Sequence, residues 1–258
     1  MDISIVICTR NRAAPLAETL QSIMRHTRTD GRSTELLVID NGSTDGTAEI
    51  VGSHHSAPIS VRHILEPRAG KCNAYNRGIA EARGEVLVWT DDDVRVPEDW
   101  AERVTERIFQ GQADAVAGGV HIAPQLERPW MTMLHRTYLA DTRGLDPERP
   151  MCMVGANMAF SRSVFARVPQ FDTELGPGAL GFCDETLFSM QLIEAGYRLR
   201  GQMDVFVEHH FDAARLAYGS LRDRMRKEGR CLAYIAHHWQ HIVIQNPRLK
   251  AWKRTARL

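Results

Sequence analysis

Val86-Leu-Val-Trp-Thr-Asp-Asp-Asp-Val-Arg-Val-Pro97 is the stretch from which the rest of the chain is read. Val86 to Trp89 is an apolar run of strand length, too short for a helix, and it stops at Thr90 and three consecutive carboxylates. Asp91, Asp92 and Asp93 therefore stand where a buried strand surfaces. In open α/β sheets ligands bind outside the carboxyl ends of the strands, and adjacent carboxylates repel one another unless a cation or a donor-rich ligand neutralises them. Asp91 and Asp93 fall on one side of an extended segment, with Asp92 on the other. Hard oxygen ligands so arranged suit Mn²⁺ or Mg²⁺ shared with a phosphate. The competing reading is a solvated acidic loop that caps the helix begun by Pro97-Glu98-Asp99-Trp100.

A chain of 258 residues with 43% hydrophobic and 25% charged residues is ordinary globular material, long enough for a sizeable core. No apolar run approaches the length of a membrane span, and the N-terminus lacks the charged region and apolar core of a signal peptide. A cytoplasmic protein is expected. Cys8, Cys72, Cys152, Cys183 and Cys231 are odd in number, widely spaced and never in a Cys-x-x-Cys pair, which argues against a disulfide framework and a zinc site. Net charge is zero but uneven. From Arg215 onward eleven Lys or Arg face only Asp223 and Glu228, a net of +9, against −9 for the preceding residues. No internal repeat or low-complexity linker divides the chain.

Ile3 to Cys8 reads as a buried first strand, followed by the loop Thr9-Arg-Asn-Arg12 and a helix from about Ala14 to His26. Glu35-Leu-Leu-Val-Ile-Asp40 repeats the form, with the loop Asn41-Gly-Ser-Thr-Asp-Gly46 and a helix from Thr47. Strand, loop and helix twice over predict a parallel sheet with crossover helices. Asp40 reads either as turn chemistry or as an acceptor for a base or ribose. Ser60 to Leu65 makes a third strand, and Gly70 opens a helix whose N-terminus, with Lys71 at its mouth, predicts an anion site. Neither the P-loop nor the Gly-x-Gly-x-x-Gly spacing is present.

Taken in order, Thr9-Arg-Asn11-Arg12, Val38-Ile-Asp40-Asn-Gly-Ser-Thr-Asp-Gly-Thr47, Gly70-Lys-Cys-Asn-Ala-Tyr-Asn76-Arg-Gly78 and Thr90-Asp-Asp-Asp93 with Pro97 and Trp100 resemble the nucleotide-sugar-binding half of family 2 glycosyltransferases of the GT-A fold. The resemblance implies that Asp40 contacts the base, Asp91 the ribose and Asp93 the metal on the donor diphosphate. Thr9, Arg12, Lys71 and Asp92 match positions of the same donor pocket. Cys8 stands where the family usually has Pro, a departure in packing.

The second half resembles the family as well. Ala113 to Val120 and Val154 to Phe160 read as strands, the latter flooring the acceptor side, with Asn157 either an acceptor contact or a strand-end hydrogen bond. Ala123 to Pro150 is a long insertion whose Trp130, His135 and Tyr138 read as an acceptor wall or as plain core. Gly176-Pro-Gly-Ala-Leu-Gly-Phe-Cys-Asp-Glu-Thr-Leu187 runs into a helix with Leu187, Met190, Ile193 and Tyr197 near one face. Asp184 and Glu185 occupy its first turn, where carboxylates complement the helix dipole. The resemblance places the catalytic base here, commonly in a Glu-Asp pair; the order is reversed in this chain, so Glu185 and Asp184 both remain candidates. Val205 to Phe211 reads as a strand at the sheet edge, and the match for a histidine near the metal falls on His209. A helix from Arg215 to about Trp239 follows, with Leu221, Met225, Leu232, Ile235 and Trp239 along one side.

The expectation is an α/β protein of the GT-A fold, with a Rossmann-like, mostly parallel central sheet flanked by helices. Residues 1–112 form the nucleotide-sugar-binding half, 113–214 the acceptor and catalytic-base half, and 215–258 a basic amphipathic segment. The implied activity is metal-dependent, inverting transfer of a sugar from a UDP- or GDP-sugar to a carbohydrate, lipid-linked or small-molecule acceptor. A nucleotidyltransferase and a non-catalytic nucleotide-sugar-binding protein are the alternatives. The basic segment reads either as peripheral attachment to an anionic membrane surface, the inner face for a cytoplasmic protein, or as a helix whose Leu221, Met225 and Leu232 pack on the domain and leave the charges as a solvated face. Nucleic acid is not expected as a partner, because the rest of the protein is as acidic as the tail is basic.

Overall fold

The structure is a computed structural model that describes residues 1–27, 31–54, 59–148 and 150–243. Its first half is built from apolar runs that are buried on both faces, the pattern of strands covered by helices on two sides. β1 (Ile3–Thr9), β2 (Thr34–Asp40) and β4 (Val86–Thr90) are buried almost throughout, and β3 (Ser60–Leu65) alternates at the edge. They pair in parallel in the order β3-β2-β1-β4. The crossovers carry α1 (Ala13–His26), α2 (Thr47–Gly52) and α3 (Lys71–Glu81). Register then aligns the strand ends: Thr9 lies beside Asp40, and Ile7 beside Thr90. Asp40, the loop after Thr9 and the three acids thus emerge along one rim.

β4 is followed by a two-residue strand, β5 (Val94–Arg95), before α4 (Trp100–Phe109), so the acids do not cap that helix. The backbone of β5 is closed on its α1 side by hydroxyls: Thr19 Oγ1 donates to the Val94 carbonyl (3.0 Å) and accepts from its N–H (3.1 Å). Ser22 accepts from the Val96 N–H in the same way (3.0 Å). These bonds fix the exit of the acidic loop.

The second half adds β6 (Ala115–Ile122), β7 (Met158–Ser161) and β8 (Leu199–His209), completing one eight-stranded sheet in the order β3-β2-β1-β4-β7-β6-β8-β5. β7 is antiparallel to β4 and β6, β8 is parallel to β6, and β5 is antiparallel to β8. β7 begins at Met158 rather than Val154 because the preceding chain turns, with the Asn157 N–H donating to the Val154 carbonyl (2.9 Å). Asn157 is fully buried; its amide donates to the Gly119 and Val205 carbonyls (both 2.8 Å) and accepts from the Trp100 indole (3.0 Å). It is a sheet clamp. β8 is longer than expected and lies inside the sheet, with β5 beyond it.

α5 (Met133–Tyr138) lies in the insertion and α6 (Asp184–Glu194) follows the Gly-rich loop. On α6 the buried apolar residues are Leu187, Phe188 and Leu192, while Ile193 is exposed, so the apolar face lies one position away from the expected one. A wide π-cluster decides this: Phe188 stacks with Phe171 (4.4 Å) and meets Phe160 edge-on (5.1 Å).

The C-terminal helix splits into α7 (Tyr218–Tyr234) and a π-helical turn over Ile235–Trp239. Leu221, Cys231 and Ile235 are its buried residues; Cys231 and Ile235 pack with Leu175, Cys183 and Leu187. Trp239 is largely exposed and donates its indole N–H to Asp172 (2.9 Å), beside the Tyr234 hydroxyl (2.9 Å). The apolar side of this helix therefore already rests on the domain through residue 239. Arg248, Lys250, Trp252, Lys253, Arg254 and Arg257, which contribute to the basic tail, lie outside the described residues. All five cysteines are free thiols.

Candidate active site

Asp91, Asp93 and His209 converge at the carboxyl end of the sheet, each offering one ligand atom within 4.8 Å of the others. Strand pairing brings this about: Val94 is the register partner of His209, and the His210 N–H donates to the Asp93 carbonyl (2.7 Å). His209 is buried, its Nδ1 lies 3.2 Å from the Leu139 carbonyl and its Nε2 lies 3.4 Å from Asp93 Oδ1. A carbonyl only accepts, so Nδ1 carries the proton and Nε2 is presented toward the acids, as a metal-binding imidazole requires. Two carboxylates and one imidazole nitrogen fit Mn²⁺ or Mg²⁺ with room for phosphate oxygens. Burial pushes the Asp93 carboxyl up, but the contacts with the His209 ring and the Arg12 guanidinium outweigh it and bring it down to about 2.

Asp92, on the opposite side, is engaged by the protein itself. Its two oxygens accept from Thr9 Oγ1 (2.6 Å) and Arg12 Nε (2.7 Å), while Arg12 Nη2 reaches Asp93 Oδ2 (2.6 Å). Burial raises the Asp92 carboxyl to about 6 despite Arg12. Thr9, Arg12, Asp92 and Asp93 form one network that sets the height of the acidic loop on β1. Asp40 lies one strand further along the rim, where its oxygens meet the Ser43 N–H (2.7 Å) and His63 Nε2 (3.1 Å). The Ser43 contact is turn chemistry, made at the carboxyl end of β2 on the same rim as the three acids.

Lys71 departs from the expected anion site. The first N–H of α3 donates to the Pro177 carbonyl (2.8 Å), because the Gly-rich loop covers that helix end. Gly178 makes the cover possible: a Cβ there would lie 2.8 Å from Gly70 Cα. The Lys71 ammonium instead bridges Asp91 Oδ1 (3.2 Å) and Glu185 Oε1 (3.3 Å). It thereby joins the donor acids to the first turn of α6 across 114 residues of chain.

The Asp184–Glu185 pair is split by environment. Glu185 Oε1 also lies 3.4 Å from the Tyr75 hydroxyl. Burial raises its carboxyl, but Lys71 and the adjacent Asp184 outweigh burial and leave it below the ordinary glutamate value. Asp184 is buried, its Oδ2 has no hydrogen-bond partner among the described residues, and burial together with the Glu185 charge pushes it well above the ordinary range. One acid is thus held ionised beside a lysine and the other neutral behind it, the separation of roles expected where a proton acceptor is needed.

Four contributors were not singled out by sequence. Gly155 abuts this pair, since a Cβ there would lie 2.4 Å from Glu185 Oε1 and 2.5 Å from the Tyr75 hydroxyl. Leu139 acts through its carbonyl, which no side-chain pattern reveals. Tyr75 packs at a tilt against Trp89 (4.5 Å), and its hydroxyl was given no role of its own inside the Gly70–Gly78 motif. Arg215, six residues after His209, brings Nη1 to 3.4 Å from His209 Nε2, with its Nε buried and unpartnered among the described residues. Trp130 and His135 pack edge-on against each other (5.2 Å) with Trp130 exposed, and Tyr138 donates to Glu228 (2.7 Å), so these aromatics are not plain core.

A mixed sheet of this order, with acids at the carboxyl ends of β2 and β4, is a GT-A fold. It is similar to the solved structure of a mannosyltransferase from Pyrobaculum calidifontis in complex with GDP-Man and Mn²⁺, with a TM-score of 0.63 and 22% identity over 86% of this chain and 60% of that one. The model of glycosyl transferase family 2 matches residues 4–168, and the chain belongs to that family. Two relatives from Haloferax volcanii are a glycosyltransferase AglE, 31% identical over 119 residues (46% of this chain, 39% of the relative), and a glucosyl-dolichyl phosphate glucuronosyltransferase, 27% identical over 192 residues (68% and 58%). The chain spans less than two thirds of the length of either relative.

Proposed function

We propose that the protein is an inverting glycosyltransferase that moves a sugar from a nucleoside-diphosphate donor to an acceptor hydroxyl, with Asp91, Asp93 and His209 holding Mn²⁺ or Mg²⁺. The observation that carries this reading is the Lys71 bridge, which joins a would-be metal site to an ionised carboxylate that such a site alone has no use for. The bound metal would supply Lewis-acid stabilisation of the departing diphosphate. Asp40 and Asp91 face the nucleoside, and Thr9, Arg12 and Asp92 set the loop that presents the metal ligands. Arg215 adds a cation beside the diphosphate. In the transfer the acceptor oxygen forms a bond to C1 from the side opposite the leaving group. The C1–O bond to the diphosphate breaks with its electron pair, and the acceptor proton passes to Glu185. Attack from that side inverts C1. Asp184, kept neutral, holds the turn from which Glu185 projects.

Glu185→Gln preserves shape and removes only the ability to take a proton. Turnover, read as nucleoside diphosphate released, should fall by roughly a hundredfold or more with donor affinity nearly unchanged. If Glu185→Gln stays active and Asp184→Asn does not, the two acids exchange roles; if both stay active, the inverting mechanism is wrong. A nucleotidyltransferase would instead release pyrophosphate, and a binding protein would bind donor without turnover. The dolichyl-phosphate-linked substrate in the name of one relative supports a lipid-linked acceptor, as do exposed Met133 and Leu134 of the insertion, on a helix that lies beside the basic C-terminal helix. On this reading the protein works peripherally at an anionic membrane. No described helix is long and apolar enough to cross one.

A further inference from the structure

Arg224 is a half-buried cation to which the fold gives no hydrogen-bonding acid at Nε. It sits on α7 with its guanidinium 4.4 Å over the Phe182 ring, two residues before Asp184, and its Nε is fully buried with no hydrogen-bond partner among the described residues. Glu228, one turn along, is the ordinary partner for such a residue. It accepts instead from the Tyr138 hydroxyl (2.7 Å), and the other acid of α7, Asp223, pairs with Lys227 (2.7 Å). Burial and the nearby Arg215 push the Arg224 guanidinium down to about 10, and Glu228 and Glu185 lie close enough to act on its charge. A guanidinium whose Nε is buried and unpartnered gains from a ligand that supplies an acceptor, and its planar fork matches phosphate oxygens.

We propose that Arg224 forms an anion subsite of the acceptor pocket and binds the phosphate of a sugar acceptor carried as a phosphate ester. This rests on the transferase reading above. A hexose esterified at C1 carries its negative charge one ring away from the hydroxyls open to attack. Stacking on Phe182 fixes the guanidinium on the same loop that leads into Glu185, so phosphate and hydroxyl are read from the two ends of one segment. The subsite discriminates acceptors by charge. It accepts phosphate-linked sugars and leaves neutral glycosides without a partner for Arg224.

The test is calorimetry on the full chain with Mn²⁺ and nucleoside diphosphate present, titrating a panel of octyl hexosyl phosphates, the free hexose 1-phosphates and the neutral octyl hexosides. Wild type should bind a phosphate ester at least about tenfold more tightly than its neutral counterpart, as one charge-assisted contact allows. The octyl and free phosphates distinguish a lipid-linked from a soluble source of the same chemistry. Arg224→Gln should abolish the preference and Arg224→Lys should keep part of it, both with nucleoside diphosphate binding intact as proof of folding. No preference in wild type, including no binding of any probe, overturns the proposal. So does a preference that survives Arg224→Gln. Failure of nucleoside diphosphate binding in wild type would instead sink the transferase reading.

Discussion

Gly155 matters through the side chain it lacks. The turn before β7 runs against the Lys71–Glu185–Tyr75 cluster so closely that a methyl group must displace Glu185 Oε1 or the tyrosine hydroxyl. Gly155→Ala should therefore keep the fold and donor binding while moving the base, and misplacements of this size lower turnover by about tenfold to a hundredfold. Steady-state kinetics beside nucleoside diphosphate calorimetry checks it; unchanged kcat would mean that the position of Glu185 is not critical. Glycine at 155 carries no sequence signal, because the constraint comes from side chains on two distant helices. Asp91, Asp93 and His209 were legible because each ends an apolar run, whereas Leu139 was not, since a carbonyl has no residue type.

At the scale of elements, the insertion has its own charged frame. Glu127 accepts from Arg136 (2.9 and 2.6 Å) and from Arg143, and buried Asp141 accepts from both arginines. This frame carries Leu139 and therefore the orientation of His209. Hydrogen bonding to Arg136, then Arg143, lowers the Glu127 carboxyl from 4.5 to about 2. Because the folded value is depressed, the stabilisation is fully present above about pH 4.5 and is lost as pH falls toward 2. Melting temperature should drop across that window, and Glu127→Gln should flatten that part of the profile while lowering stability at neutral pH. An equal acid dependence in wild type and variant would remove Glu127 from the account. The helices show the same division: α1 and α3 were placed from periodicity and caps, but the buried face of α6 followed from the aromatic cluster around Phe188, whose other rings lie on distant segments.

Across the whole molecule, the basic C-terminal segment opposes an acidic remainder. Its apolar residues Cys231 and Ile235 are occupied by the domain, so the proposed membrane attachment would be made by the exposed Arg222, Arg226 and Arg230 and the apolar residues of the insertion. Several surface arginines at about 1 kcal/mol each give attachment that salt weakens. Flotation should therefore recover the protein with anionic liposomes at low salt and lose it at high salt or with neutral lipid. Binding indifferent to lipid charge, or none, would return the segment to a packing role and favour a soluble acceptor.

By itself the sequence determined the elements: apolar runs bounded by turn residues make buried strands, and acids just past those runs must stand at the rim of a sheet. Family membership followed from the same local motifs in order. Only the tertiary structure decided which rims meet. Pro177 covers the helix end while the Lys71 ammonium meets Asp91 and Glu185, Asp92 is turned onto Thr9 and Arg12, and Arg224 Nε is left without a partner among the described residues. Each outcome depends on contacts between residues far apart in the chain, whose partners are chosen by packing and charge after the strands have paired, so no local pattern could carry them.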